Sequence, residues 1–376
     1  MLKYIKKIIH SKTINHTIRE VSLDPSPSHN ANKIITNEWS EDEQSLLMHF
    51  RNLKPTAISI VPPDWRGVTS ATRNLVSNLL PIDARLNPSQ VERTARFIYE
   101  IGCKKIFFGG FAHSYSNLVN TLHKNHPDID IYVFWLSSFL QSNEDYAWHS
   151  FKLIDQLCRE RKIKKWGFAK KGMAEVIRAT GVPAEFIMSY VRTIPDAPSI
   201  PKPGGPHLAV WALAPIWRKN PYAMLAAAST IPGADVFVVG QDERAREFAN
   251  YLNLSFRYQR NPIDQDQMQD ALAENHLNLY VTLSECSPML PLESLSAGAP
   301  CLFGPNSHLF EDNPYLHSRL VVPYPDRSDI IAEFIQRGLE ERDEIISVYR
   351  KYTPGYNQHA MKSLTDFLEI DEASIL

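Results

Sequence analysis

The sequence predicts an α/β protein of two Rossmann-like domains facing a cleft, and three observations carry that prediction. Short apolar runs alternate with helical stretches of ten or more residues, the pattern of βαβ units in a parallel sheet. Between residues 193 and 206 the alternation stops at Pro195, Pro198, Pro201, Pro203, Gly204, Gly205 and Pro206, a composition that forms neither helix nor central strand. After this break the same rhythm restarts. At 376 residues the chain is long enough for a core in each half. Two such units joined by a linker leave a cleft that the strand ends of both can face.

Residues 16–54 are polar and read as an irregular lead-in followed by a short helix near 41–52. Thr56 to Pro62 reads as a strand, and Ser70 to Leu80 has helical spacing through Ala71, Leu75 and Leu79. A helix around 88–101, a strand Lys105–Phe108, a helix around 115–125 and a strand Ile129–Leu136 follow. The first half closes with a helix at about 147–160, a strand Lys165–Phe168 and a helix at 170–180. Beyond the linker come strand Leu208–Leu213, helix Pro221–Thr230, strand Ala234–Val239 and a helix at 242–252. The apolar run Leu277–Leu283 reads as a strand, Leu292–Ala297 as the first turns of a helix, and Cys301–Phe303 as a further strand. The last 40 residues are mostly helical, with a helix around 358–368.

Composition sets bounds on function. Apolar residues make up 44% and charged residues 22%, and the formal charge of −2 lacks the basic excess of a nucleic-acid-binding surface. Cys103, Cys158, Cys286 and Cys301 are far apart without metal-ligand spacing, and read as buried thiols in a reducing compartment. No apolar run approaches the roughly 20 residues of a membrane span, and no signal peptide is expected. Within residues 1–12, Leu2, Ile5 and Ile9 share a helical face flanked by Lys3, Lys6 and Lys7. Such a segment suits the surface of an anionic membrane, or packs on its own domain.

The densest local information is Ser284-Glu285-Cys286-Ser287-Pro288-Met289-Leu290-Pro291-Leu292-Glu293, two carboxylates with seven residues between them at the passage from strand to helix. Strand ends and helix starts present amides and a helix dipole outward, so a phosphate can sit between two acids that grip hydroxyls. That is the chemistry of a nucleotide-sugar site. Arg218 and Lys219 follow the first strand of the second half and read either as diphosphate ligands or as a solvated basic loop. Gly67 permits close backbone approach or serves a turn. Asp128-Ile129-Asp130 starts a strand, the wrong end for a ligand site, and Asp264-Gln265-Asp266 is equally a solvated turn.

The segment resembles the E-x7-E signature of family-4-like retaining glycosyltransferases of the GT-B fold, with Ser294-Leu295-Ser296-Ala297-Gly298-Ala299-Pro300 similar to its continuation. Pro215 to Asn220 stands where that family has its Arg/Lys pair, Phe237-Val238-Val239-Gly240 resembles its strand-plus-glycine, and Arg66-Gly67-Val68-Thr69 its glycine loop. The resemblance covers about residues 205–350 well and residues 55–200 mostly in architecture. It implies an acceptor-binding domain over 1–200, a donor-binding domain over 201–354 and a C-terminal helix at about 355–376 packing back on the first.

By the same resemblance, Glu285 contacts donor-sugar hydroxyls and Glu293 the ribose diol, charge-assisted bonds that fix orientation. Amides near Ser287, Met289 and Leu290 meet the diphosphate, Gly67 and Gly240 border the donor, and Arg218 and Lys219 neutralise the leaving phosphate. The family's histidine near the reacting sugar is replaced at Leu136, and His113, one strand earlier, either reaches the cleft or packs at the surface. The implied activity is metal-independent hexosyl transfer without a cofactor, from a nucleotide sugar (a UDP-sugar by family frequency) to a glycan or lipid-linked acceptor. Cell-surface polysaccharide assembly, such as lipopolysaccharide, on the cytoplasmic face of a membrane is the matching setting. The missing histidine leaves open a catalytically silent relative serving as a partner subunit; a nucleotide-sugar epimerase is a further alternative.

Overall fold

The computed structural model describes residues 39–192, 201, 203–211, 216–261, 263–264 and 267–371. The amphipathic segment 1–12, most of the linker, and Pro215 lie outside the described residues.

The first half builds a six-stranded parallel sheet from β1 (Ile58–Val61), β2 (Leu79–Pro81), β3 (Lys105–Gly109), β4 (Asp130–Trp135), β5 (Lys165–Phe168) and β6 (Ala184–Phe186), ordered β2-β1-β3-β4-β5-β6. Its helices are α1 (Glu41–Leu53), α2 (Arg66–Leu75), α3 (Pro88–Ile101), α4 (Tyr115–Asn125), α5 (Asp145–Arg159) and α6 (Met173–Ala179). Local chemistry sets several ends. Ser40 and Asn87 close capping boxes on Glu43 and Gln90, and Gly102 ends α3 with φ +83°, the left-handed region open to glycine. At Gly109 a Cβ would stand 2.0 Å from Thr72 Oγ1, so the absent side chain is what lets α2 lie against β3.

The second half repeats the plan with β7 (His207–Trp211), β8 (Asp235–Val239), β9 (Ser255–Gln259), β10 (Leu277–Tyr280) and β11 (Cys301–Phe303), parallel and ordered β11-β10-β7-β8-β9. Around it stand α7 (Pro221–Ala228), α8 (Glu243–Tyr251), α9 (Met268–Ala273), α10 (Met289–Ser296), α11 (Pro314–Leu320) and α12 (Ser328–Glu340). Both sheets are covered on two faces, which is why β1 and β10 are buried at every position.

Three elements depart from the sequence expectation. Leu79 and Leu80, expected to end a helix, belong to β2, where Ser59 pairs with Leu79. The helix stops at Val76, whose backbone is extended, so the 3.6-residue spacing runs on by coincidence into a buried strand. β9, for which no strand is expected, is an edge strand whose residues are all at least partly exposed, so no continuous apolar run marks it. β6, with three residues, is too short to leave a pattern.

The last helix, α13, runs unbroken from Arg342 to Leu368 with Pro354 inside it. Ile345, Ile346 and Tyr349 pack into the core of the second half, while Leu364, Phe367 and Leu368 pack on Phe107, Tyr132 and Phe134 of the first sheet. Pro354 removes one backbone donor in mid-helix, where the buried Thr353 hydroxyl bonds Tyr349 O at 2.8 Å. One turn on, buried Asn357 accepts from the Val191 amide at 3.2 Å and donates to its carbonyl at 2.7 Å, pinning the chain at the exit of the first half.

Candidate functional site

In each sheet the strand order reverses at one place, between β1 and β3 in the first and between β7 and β10 in the second. Ligands in open α/β sheets bind beyond the carboxyl ends of strands at such a point, where loops diverge and leave a crevice. The second switch point gathers the predicted charges. Trp217–Lys219 follow β7 in a 3-10 turn, and Glu285 follows β10.

Glu285 Oε1 accepts from Lys219 Nζ at 2.6 Å, from the Tyr280 hydroxyl at 3.0 Å and from Arg218 Nη1 at 3.3 Å. Oε2 is left without a protein donor among the described residues. Glu285, Arg218 and Lys219 are each 8% exposed, so the charges compensate one another in a poorly solvated place. Lys219 also stands over the Tyr280 ring, 4.8 Å from its centroid. Burial, with the Glu285 charge second, keeps the Tyr280 phenol far above its ordinary range, so it donates as a neutral hydroxyl. The same two causes push the neighbouring Cys286 thiol up to about 11.

The first half closes over this group. Arg218 Nε donates to Glu144 Oε1 at 3.2 Å, Lys170 Nζ to the Glu285 carbonyl at 3.1 Å, and the Ser138 and Ser284 hydroxyls lie 2.9 Å apart. Burial lowers the Lys170 pKa. Glu293, in the second turn of α10, accepts from the Ser70 hydroxyl of α2 at 2.7 Å. Ser287 is buried and accepts from the Ser189 hydroxyl at 2.9 Å. Met289 and Leu290 open α10 behind Pro288, which supplies no side-chain cap, so their amides precede any intrahelical acceptor. Pro291 has no amide to add.

The other candidates fall in different places. Gly67 lies in the first turn of α2, with nothing within 4 Å of where a Cβ would stand, next to Arg66, whose Nη1 crosses to the Ile263 carbonyl at 3.1 Å. Gly240 directly follows β8 with φ +147° and donates to Gln259 O at 2.9 Å; no hydrogen bond joins it to the Glu285 group among the described residues. His113 packs on α5: its ring stacks on Tyr146 at 4.2 Å, lies 4.4 Å from His149, and Nε2 is 3.2 Å from the Tyr146 carbonyl. Leu136, directly after β4, lines a cavity beside Glu144. Asp128 pairs with Lys104 at the surface and Asp130 bonds Lys164 at 2.8 Å.

Sequence reasoning missed Glu144, Tyr280, Lys170 and Ser70. Tyr280 and Lys170 carried a usable signal, since each stands at or just beyond the carboxyl end of a parallel strand. Glu144 sits after a 3-10 turn and Ser70 in mid-helix, and nothing local marks either.

The four cysteines are buried and free. Among the described residues no group of three or more His, Cys, Asp or Glu is arranged to hold a metal ion, and no helix is long and apolar enough to cross a membrane.

No protein-family model matches the sequence, and no curated protein does. Solved structures do match in fold. A UDP-forming trehalose-phosphate synthase from Burkholderia xenovorans aligns over 84% of this chain and 99% of its own, with TM-score 0.59 and 10% identity. Anabaena HepE, solved in complex with UDP and glucose, aligns over 83% of this chain and all of its own, with TM-score 0.62 and 10% identity. The lipopolysaccharide outer core galactosyltransferase WaaB covers 83% of this chain and 99% of its own, with TM-score 0.55 and 12% identity. The fold is therefore the GT-B arrangement of two Rossmann-like domains across a cleft. At these identities the likeness is one of fold.

Proposed function

We propose that the protein is a retaining glycosyltransferase that moves a hexosyl unit from a nucleotide-diphosphate sugar to a hydroxyl of a glycan or lipid-linked glycan. The observation that carries this reading is the convergence of Arg218, Lys219 and Tyr280 on Glu285 at the β7/β10 switch point. Two cations held beside a carboxylate suit a donor whose diphosphate is anionic and whose sugar offers hydroxyls. On binding, the diphosphate takes Arg218 and Lys219 together with the amides of Met289 and Leu290. Glu285, with Oε2 available, holds the sugar hydroxyls, and Glu293 takes the ribose diol.

The acceptor oxygen then attacks the anomeric carbon on the face the phosphate leaves. The sugar–phosphate bond breaks as the new glycosidic bond forms, and the acceptor proton passes to the departing phosphate oxygen. Arg218 and Lys219 stabilise the charge gathering on that phosphate, work that needs no metal ion. The contacts from Ser70, Ser138, Lys170 and Glu144 across the cleft keep water from competing with the acceptor.

UDP is the favoured donor nucleotide, since HepE is solved with UDP and glucose and the Burkholderia synthase is UDP-forming. The likeness to WaaB supports cell-surface polysaccharide as the setting, and the basic, amphipathic sequence of residues 1–12 supports contact with the cytoplasmic face of a membrane. Thermal stabilisation by UDP-, GDP- and ADP-sugars, followed by nucleotide release with candidate acceptors, tests the proposal. Transfer by a Glu285→Ala enzyme at near wild-type turnover would sink it. Leu136, standing where a histidine is expected, favours a second reading in which the chain binds nucleotide sugar without turning it over; donor binding with no nucleotide release from any acceptor would select that one.

A further inference from the structure

A cavity of about 270 Å³ opens where the carboxyl ends of β3 and β4 meet the start of α5. Its lining combines aromatic side chains with the uncharged polar Ser137, Gln141 and Ser150. Trp65, Trp135 and Tyr146 line it, with Trp65 edge-on to Tyr146 at 5.5 Å between centroids. Among the described residues Glu144 is the one charged residue in that lining. Its side chain is 43% exposed, and Oε1 is held by Arg218 Nε at 3.2 Å. The guanidinium that reaches Glu285 therefore also fixes the carboxylate at the edge of this cavity.

Aromatic surface beside a carboxylate is the chemistry that recognises an uncharged sugar. The C–H face of a pyranose packs on the aromatic surface, and vicinal hydroxyls donate to the carboxylate. A phosphorylated sugar meets the opposite conditions. Its dianion would lose water beside a like charge, with no cation in the lining to offset the cost. Arg218, which holds Glu144, is already shared between Glu144 and Glu285. Lys170 and Lys171 line a different cavity, with Ser138 and Ser284.

We propose that the Trp65–Trp135–Tyr146 cavity is the acceptor subsite and that it selects an uncharged glycosyl unit, with Glu144 gripping its hydroxyls. This rests on the reading of the Glu285 group as the donor side. The inference names a substrate class: the growing end of a neutral glycan, in preference to a sugar phosphate.

Binding to the full-length protein is measured by saturation-transfer NMR and by the fluorescence of the lining tryptophans. The probes are the methyl α-glycosides of glucose, galactose, mannose and N-acetylglucosamine, against glucose 6-phosphate. At least one neutral glycoside is expected to bind, and glucose 6-phosphate at least about tenfold more weakly. Glu144→Gln should weaken the bound glycoside by about tenfold, the cost of a charge-assisted hydrogen bond. Trp65→Ala, which leaves the Arg218–Glu144 pair in place, should weaken it as well. Tighter binding of glucose 6-phosphate, an unchanged affinity in both variants, or no binding by any neutral glycoside overturns the proposal. UDP titrated into the same samples separates the two readings: glycoside binding without UDP binding defeats the donor-site assignment and leaves the sugar subsite standing.

Discussion

Ser70 and Glu293 belong to helices of different domains and are joined by a 2.7 Å hydrogen bond from the serine hydroxyl to Oε1. The second acid of the E-x7-E pair is thus presented at the domain boundary. Its partner comes from the helix whose first turn carries Gly67. Any ligand that engages Glu293 must accommodate or displace that hydroxyl, so under the proposed function nucleotide binding would be linked to the closeness of the two domains.

Replacing Glu293 by Gln keeps the shape and removes the charge. UDP affinity is expected to fall about tenfold, the difference between charged and neutral acceptors of two hydroxyls. Isothermal titration with UDP reads this directly. An unchanged affinity would remove Glu293 from the donor site.

Glu285 compensates two buried cations, so its loss should be felt without any ligand. Glu285→Ala leaves Arg218 with Glu144 and the Ser284 carbonyl and, among the described residues, Lys219 with only the Tyr280 hydroxyl. A destabilisation of about 3 kcal/mol is expected in urea unfolding. UDP or pyrophosphate should restore part of it, since an anion takes over the compensating role.

His308 is 8% exposed, edge-on to Phe186 at 4.8 Å, and among the described residues neither ring nitrogen has a hydrogen-bond partner. Burial holds its pKa down to about 4, with Lys171 and Lys170 lowering it further and Glu311 and Asp312 opposing them. The folded-state value lies below the unfolded value of about 6.5, so the unfolded chain binds the proton first. Stability from this residue is fully present above about pH 6.5 and is lost as pH falls toward 4. His308→Phe should flatten that part of the stability–pH curve; an unaltered slope would show that other groups set it.

Cys286 adjoins Glu285, and its thiol is pushed up to about 11 chiefly by burial. Iodoacetamide at pH 7.5 should leave it unmodified in the folded protein and label it on unfolding, which intact-mass spectrometry resolves. Fast labelling of the native chain would mean that the site opens far more than the structure shows.

Asn357 pairs with both backbone groups of Val191 through its side-chain amide. Asn357→Ala leaves a buried N–H and C=O unpaired, at a cost of about 2 kcal/mol in chemical denaturation. Asn357→Asp keeps the acceptor and should cost less at low pH, where its carboxyl can donate.

The E-x7-E segment, the Arg218–Lys219 pair and the two-domain α/β plan were legible because each is local: an apolar run, a spacing, a proline-rich break. The opposite wall was not. Glu144 reaches Arg218 across 74 residues of chain, Lys170 reaches the Glu285 loop across 115, and Ser70 reaches Glu293 across 223. A parallel sheet takes its strand order from long crossovers, so which strand ends become neighbours cannot be read along the chain.

The sequence by itself determined the alternation of strand and helix and the carboxylate pair that follows β10. Burial on both faces demands apolar runs, and a strand-to-helix passage is written in consecutive residues. Tertiary structure alone decided that Arg218 stands between two carboxylates, that Ser70 meets Glu293, and that His113 packs beneath Tyr146. The first two relations depend on the closure of one domain on the other, set by the packed cores and the crossing helix α13, and the third on how α5 packs over the loop after β3 within the first domain.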